Sequence, residues 1–310
     1  MIMDKNVDEF MSSVIAVLQR EQRHGTARLY VSVQRVLRSY PPYAGMTFDD
    51  FDTAWLNAFE CWLSDSGKRC NTTSTYIRVL RAVYNRAYDQ GLAAYRPRLF
   101  HRVYTGVSCE RKLALDVRRL CCLFYAPVDD PVLSRTRDFC LLMFLLHGIP
   151  FVDLVYLRRG DYRNSCIVYR RRKTGTRVEV LVSGEAHRLI TRLRGNGDSP
   201  YLFDFLRDNG KQEGLYEKYR RALRTFNGQL KRLAAYLELG APLSTYTMRH
   251  SWGTLAYHME VHPGVISQAL GHSSIEVTET YLKPFVPERI EKINRQMIKA
   301  IKKKSLFPVK

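Results

Sequence analysis

Apolar residues recur at spacings of three and four along almost the whole chain, which is the period of an α-helix. The stretch 76–87 shows this spacing most regularly. The pattern changes clearly in one place, where two runs rich in β-branched residues, 165–171 and 177–182, flank Lys173-Thr174-Gly175. Such a pair of runs around a glycine turn predicts a β-hairpin. The sequence therefore predicts a mainly α fold with one small β-hairpin or sheet.

Breaks in the helical pattern divide the chain into two domains. Residues 1–100 predict a small all-helical domain, in which Asp49-Asp50 open the third helix and Asn71-Thr72 cap the fourth. Residues 101–112 are basic and hold no sustained period, so they predict a linker. Residues 113–310 predict a larger, mostly helical domain that contains the hairpin. An apolar stripe at helical spacing predicts that this domain ends in a helix over 287–303.

The charge balance indicates which classes of binding partner are favoured. The chain carries 49 Lys and Arg against 30 Asp and Glu, a net charge of +19. Such an excess favours a polyanion, with nucleic acid ahead of an anionic membrane surface. No apolar run reaches the roughly 18 residues that a membrane-spanning helix needs, and the acidic N-terminus is unlike a signal peptide. We therefore expect a cytoplasmic, nucleoid-associated protein with no membrane partner.

The cysteines and histidines show no metal-binding spacing. The seven cysteines include no CxxC pair, and most lie in apolar helical context, where free cysteine behaves as a small hydrophobic residue. The histidines at 250, 258, 262 and 272 fit no usual zinc pattern. We expect a reduced protein with no disulfide, no metal and no cofactor.

Polar residues with catalytic chemistry concentrate near the C-terminus. Arg249 begins an amphipathic helix, His272 follows a second helix, and Tyr281 comes nine residues later. Lys173 stands on the predicted hairpin. Arginine presents a planar fork to two phosphate oxygens, tyrosine can attack phosphorus, and histidine and lysine can move protons. This set of groups is what phosphoryl transfer without a metal requires.

The stretch resembles the second catalytic box of the tyrosine recombinases, the phage-integrase family, which reads roughly HxxRH…LGHxx…Y. Arg249-His250, Leu270-Gly271-His272 and Tyr281 stand at the family's intervals, and Lys173 matches its β-turn lysine. The segment 71–91 resembles the family's SAM-like core-binding domain. The resemblance implies a site-specific recombinase of the integrase or invertase type. Its implied partners are double-stranded DNA carrying recombination sites and further copies of itself, which form a tetramer on DNA. The C-terminal helix would be donated to a neighbouring copy, or it would fold back on its own domain.

The resemblance also implies roles for individual residues. Tyr281 would attack a backbone phosphate and form a 3′-phosphotyrosyl bond, while Arg249 and His272 stabilise the pentacoordinate phosphate. Lys173 would give a proton to the leaving oxygen, and His250 would support structure. Neither ATP nor a metal is implied.

The first catalytic box departs from the family pattern TGxRxxE. Pro150 stands where the arginine belongs, and Asp153 replaces the glutamate. This form resembles the branch of conjugative-element integrases and DNA invertases. The candidates for the missing cation are a protonated His147, Arg158, Arg159, or an arginine of the hairpin strand. Tyr246 stands where the second box has its first histidine, either as a hydrogen-bond donor to phosphate or as a packed aromatic residue.

Two further sets of residues are candidates for DNA contact. The fourth helix presents Thr72, Thr73, Arg78 and Arg81, and the hairpin presents Arg170, Arg171 and Arg172. Each set fits contacts to phosphates or a groove, and each fits equally an ordinary solvated face. Two other functions stay open at this point. One is a non-catalytic DNA-binding protein on the same fold, and the other is a relaxing enzyme similar to type IB topoisomerases.

Overall fold

The computed structural model describes residues 6–106, 114–195, 199–207, 210, 213–272, 291 and 294–299. The chain divides into two compact units, residues 1–110 and 111–310. This division falls inside the predicted linker 101–112. The linker's first residues pack with the first unit, where Val103 is buried and the Ser74 hydroxyl donates to the Gly106 carbonyl.

The first unit contains four helices around one apolar core. They are α1 (Val7–Arg20), α2 (His24–Arg38), α3 (Thr53–Asp65) and α4 (Cys70–Asp89). Two 3-10 turns, Pro41–Tyr43 and Phe48–Asp50, join α2 to α3. Aromatic rings fill much of this core. Phe48, Phe51 and Phe59 are fully buried, and the rings of Phe51 and Trp55 lie 5.2 Å apart.

Two predicted helix starts in this unit are wrong. Helix α3 begins at Thr53 with Asp52 as its cap, whose carboxylate accepts the Trp55 N–H at 2.6 Å. Asp49 and Asp50 lie instead in the preceding 3-10 turn. Helix α4 begins at Cys70, so Asn71-Thr72 lies within its first turn and does not cap it.

The second unit is also mostly helical. Its helices are α5 (Val117–Tyr125), α6 (Pro131–Leu145), α7 (Phe151–Tyr156), α8 (Gly184–Leu193), α9 (Leu215–Tyr236), α10 (Thr247–His258) and α11 (Pro263–Leu270). Helix α6 packs against α5, α8, α9 and α10. Its residues 138–143 are all buried, so it has no solvated face in this stretch, as expected of a central helix. The mainly α prediction is confirmed.

A three-stranded antiparallel sheet completes this unit. Strands β1 (Tyr162–Arg163), β2 (Cys166–Arg170) and β3 (Arg177–Leu181) pair in the order β1-β2-β3. The inward side chains of β2 and β3 are apolar and buried, and they pair as Ile167 with Val180 and Tyr169 with Val178. Gly175 has a φ of +72° in the turn between them, which explains the glycine. The predicted hairpin is correct, whereas β1 is too short for its alternation to show in the sequence.

The described helices include none that is long and apolar enough to cross a membrane. Near the C-terminus, residues 294–299 are helical, within the predicted helix 287–303, whose remaining residues apart from 291 lie outside the described part. Met297 and Ile298 on this segment are 53% and 45% exposed.

Candidate active site

Arg249 lies in the first turn of α10 and is almost completely buried, with 2% of its surface exposed. Its guanidinium donates from Nη1 to the Gly148 carbonyl at 3.3 Å and from Nη2 to the Leu270 carbonyl at 2.6 Å. Gly148 has a φ of +66°, and a Cβ on it would lie 2.8 Å from the Arg249 Cα. The turn between α6 and α7 therefore approaches α10 as closely as a residue without a side chain allows.

The turn at the end of α11 carries His272. Gly271 adopts the left-handed conformation (φ +62°), and its N–H donates to the Gln268 carbonyl. The His272 N–H donates to the Ser267 carbonyl at 3.0 Å, which closes a glycine-capped helix end. His272 is half-buried directly after this turn. The spacing LGH thus places His272 two residues after the carbonyl that Arg249 binds.

Arg171 reaches the same carbonyl from the sheet. It follows β2 and points inward, with 5% of its surface exposed. Its Nε donates to Asp153 Oδ2 at 2.7 Å, and its Nη1 donates to the carbonyls of Leu270 at 2.5 Å and Gly271 at 3.2 Å. Arg171 is therefore enclosed by the fold and does not lie on the exposed face of the hairpin, and its contact with DNA stays a prediction.

Asp153 is the carboxylate of this cluster. It lies on α7, is 3% exposed, and accepts the Arg172 backbone N–H on its second oxygen at 2.9 Å. Burial raises the pKa of Asp153, against the opposing effects of this hydrogen bond and of the charges on Arg171 and Arg249. The residue that replaces the family's glutamate thus ties the hairpin to α7.

The surroundings of His147 disfavour a positive charge on its ring. Burial lowers the pKa of His147 below its ordinary value, so the ring is neutral at pH 7. Its Nδ1 is buried without a hydrogen bond to any residue that the structure describes, and its ring packs against Trp252 at 5.5 Å. This half-buried setting disfavours the charged form, and a role for His147 as the replacement cation stays a prediction.

The other candidates for the missing cation lie on the exposed segment after α7. Arg159 donates to the carbonyls of Ser199 and Gly195, and so holds a loop of its own unit. Arg158 is exposed, and its backbone N–H bonds the Asp161 carboxylate. These hydrogen bonds give both residues a role in the local structure of this segment.

Lys173 and Tyr246 are both open to solvent. Lys173 stands exposed in the turn between β2 and β3. Tyr246 is 41% exposed at the start of α10, with its ring 5.6 Å from that of His250. Arg172 is exposed and stacks on the Tyr156 ring at 3.8 Å. A role for Lys173 or Tyr246 on substrate stays a prediction, and Tyr281 lies outside the described residues.

The predicted DNA contacts on α4 separate into two groups. Arg78 and Arg81 are exposed, and Thr72 is half-buried. Thr73 is only 3% exposed and faces the core of the first unit, so the structure argues against its contact with DNA.

Throughout the described part of the chain, no three His, Cys, Asp or Glu side chains come together as a metal site would require.

Sequence reasoning left open an arginine of the hairpin strand that reaches in, but it did not single out Arg171 from its neighbours in the basic run. Strand alternation carries the signal that could have found it. Residues 167, 169 and 171 have the same parity, and the first two are buried apolar positions of β2. This parity places the third on the inner face.

The mainly helical two-unit fold, with two buried guanidiniums at the end of one helix, is the fold of the integrase class. The phage integrase family model matches residues 127–286, and the phage integrase SAM-like domain model matches residues 6–103. The chain belongs to the phage integrase family, and it is a tyrosine-type site-specific recombinase.

Curated relatives and solved structures agree with this assignment. The chain is 26% identical over 231 residues to tyrosine recombinase XerD of Pseudomonas aeruginosa, covering 71% of this chain and 73% of that protein. It is 23% identical over 242 residues to tyrosine recombinase XerC of Pseudomonas fluorescens, covering 76% and 77%.

Two solved structures show the same fold. The integrase of the Tn1549 transposon, in complex with a circular intermediate DNA, matches with a TM-score of 0.69 at 16% identity, covering 95% of this chain and all of that one. A lambda integrase dimer bound to a core site matches with a TM-score of 0.66 at 13% identity, covering 90% and 98%.

Proposed function

We propose that the protein cuts and rejoins double-stranded DNA at specific recombination sites through a 3′-phosphotyrosyl intermediate. The Tyr281 oxygen forms a bond to the scissile phosphorus, and the bond from phosphorus to the 5′ oxygen breaks. Lys173 donates the proton that the leaving 5′ oxygen takes up. Arg249 and His272 hold the non-bridging oxygens, where charge develops in the transition state. The hydrogen bond from Arg249 to the Leu270 carbonyl, two residues before His272 in the same turn, supports this proposal most directly.

The covalent link keeps the energy of the phosphodiester bond. The 5′-hydroxyl of a partner strand can therefore reverse the step and exchange strands without ATP or a metal. Tyr246 offers a phenol in place of the family's first histidine in this box, and its exposure leaves it able to donate to a phosphate oxygen. Used on two sites, this chemistry serves an integrase or an invertase.

DNA contacts from both units support this chemistry. Arg78 and Arg81 on α4, together with Arg170 and Arg172 on the hairpin, are exposed cations that can neutralise backbone phosphates. The net charge of +19 favours such contacts. Related solved structures of integrases contain DNA, which agrees with the same partner here.

The proposal includes assembly as a tetramer on paired sites. The exposed apolar side chains of Met297 and Ile298 suit a helix that docks on a neighbouring copy. Head-to-tail donation of such a helix closes as a ring. Deleting residues 288–310 is expected to spare binding to a single site and to eliminate the shifted complex that contains two sites, in gel-shift assays with one-site and two-site DNA.

Trapping the covalent complex tests the proposed chemistry. Candidate sites come from genomic fragments that neighbour the coding sequence, made as nicked duplexes that lose the 5′-hydroxyl fragment after cleavage. The wild type is expected to form an adduct that survives denaturation, in the presence of EDTA. Tyr281→Phe is expected to form none, with DNA affinity within about threefold of wild type, since only the nucleophilic oxygen is lost.

Tyr125→Phe serves as the control, because Tyr125 is a 64% exposed tyrosine of the same unit. An adduct with the Tyr281→Phe variant would overturn the assignment of the nucleophile. DNA binding by the wild type without any adduct would favour a non-catalytic DNA-binding protein. Plasmid relaxation without two-site recombination would favour a topoisomerase-like enzyme.

A further inference from the structure

The first catalytic box leaves the phosphate site one arginine short. Pro150 is buried, caps the start of α7 and has no side-chain donor. Nothing at that position can bind a phosphate oxygen. A second guanidinium has to come from another element if the site is to hold both non-bridging oxygens of a phosphate.

Arg171 lies where such a guanidinium is needed. Its Nη1 and the Nη2 of Arg249 donate to the same oxygen of Leu270, so these nitrogens lie within about 5 Å of each other. The two arginines come from the sheet and from α10, and they meet beside the turn that carries His272. Lys173 follows Arg171 by two residues on the same hairpin. One short segment thus carries both a guanidinium and an ammonium group.

Within the described part of the chain, the hydrogen bonds of Arg171 leave one of its nitrogens for a ligand. Nε is used by Asp153, and Nη1 is used by the carbonyls of Leu270 and Gly271. Nη2 makes no hydrogen bond to a residue that the structure describes. Asp153 holds the guanidinium in a fixed plane through Nε. This anchoring orients Nη2 before substrate arrives, which reduces the cost of ordering the side chain in the transition state.

We propose that Arg171 is the second phosphate-binding guanidinium of this recombinase, in the role that the first-box arginine leaves vacant at Pro150. The inference rests on the strand-transfer function proposed above. Arg171 binds one non-bridging oxygen through Nη2, and Arg249 binds the other. Asp153 is a positioning residue, since it acts through Arg171.

The test compares two substrates that differ only in charge at the scissile phosphate. One duplex carries the trapped site with its natural phosphodiester, and the other carries a methylphosphonate, which lacks one anionic oxygen. On the phosphodiester, Arg171→Ala is expected to lower the single-turnover cleavage rate about 10²–10³-fold with DNA affinity nearly unchanged, the usual loss for one preorganised transition-state donor. On the methylphosphonate, the rate ratio between wild type and variant is expected to shrink to below about tenfold, because less charge needs neutralising.

Two further variants keep the test decisive. Arg171→Lys retains the positive charge beside Asp153 but loses the planar fork. It is expected to lower the cleavage rate on the phosphodiester less than Arg171→Ala does, and its rate ratio to wild type should also shrink on the methylphosphonate. Arg177→Ala removes a 63% exposed cation from the neighbouring strand and is expected to leave both rates unchanged. An equal loss on both substrates would reduce Arg171 to a structural clamp, and phosphodiester cleavage within threefold of wild type would overturn the proposal. Absence of any wild-type adduct would instead contradict the proposed function.

Discussion

Two arginine–aspartate pairs in this molecule have the same length and opposite surroundings. In the first unit, Arg38 on α2 binds Asp8 on α1 at 2.7 Å, with side chains 57% and 30% exposed. In the second unit, Arg171 binds Asp153 at 2.7 Å, with side chains 5% and 1% exposed. Water screens the first pair, so its contribution is about 1 kcal/mol or less. The second pair has lost its hydration, so each charge is compensated mainly by its partner.

The same contrast holds for the two cores. Among the described residues, the first unit buries the polar side chains Gln34, Thr73 and Ser74 but no charged one. The second unit buries four charged side chains: Asp138, Asp153, Arg171 and Arg249. Burying charge costs several kcal/mol per ion before pairing. Three of these four, Asp153, Arg171 and Arg249, lie close to the turn that carries His272. In contrast, Asp138 lies on α6 and pairs with Arg137 and Arg192.

Removing the aspartate from each pair should give the largest difference between the two units in lost free energy of unfolding. Asp153→Ala is expected to lower the free energy of unfolding by about 3–5 kcal/mol, because Arg171 is left as an uncompensated buried charge. Asp8→Ala is expected to lower it by about 1 kcal/mol or less, because water can solvate Arg38. Urea unfolding of the full chain measures both losses. Equal losses would break the comparison.

A smaller difference in stability is expected between alanine variants of two glycines that have a left-handed conformation. Gly175 (φ +72°) has open space around it, whereas a Cβ on Gly271 (φ +62°) would lie 2.5 Å from Val178 Cγ2 and 3.2 Å from Arg171 Cγ. Both alanine variants carry the backbone strain of about 1–2 kcal/mol. Gly271→Ala should be further destabilised by about 1–3 kcal/mol of overpacking. Thermal melts of the two variants measure this excess, and its absence would show that the sheet can move away from α11.

The smallest expected effect is the pH dependence of the exposed pair. The hydrogen bond from Arg38 holds the pKa of Asp8 below its ordinary value. The stability from this pair is therefore present at neutral pH and is lost as the pH falls below about 4 and through the folded-state pKa. The difference in unfolding free energy between wild type and Asp8→Asn should be about 1 kcal/mol or less at pH 7 and should shrink at pH 3. A difference that grows on acidification would contradict this sign.

The sequence was sufficient for the mainly helical fold and for the hairpin, because both follow from local periodicity. It was not sufficient for the starts of α3 and α4, where Asp52 and Arg69 rather than the expected residues stand at the cap. It also gave no sign of the setting of His147, whose pKa is lowered by burial and whose ring packs against Trp252, more than 100 residues away. Arg171 had the right parity for the inner face, but charged residues are so rarely buried that this signal was outweighed.

The carbonyl oxygen of Leu270 joins three elements of the second unit. It accepts from Arg171 and Arg249 together, so both of its lone pairs are occupied. The hairpin, α10 and the end of α11 therefore share a single acceptor atom, and a shift of that helix end would cost both guanidiniums a hydrogen bond at once. Asp153 and Gly148 would still hold them from the other side, so the position of His272 is tied to both arginines without being their only support.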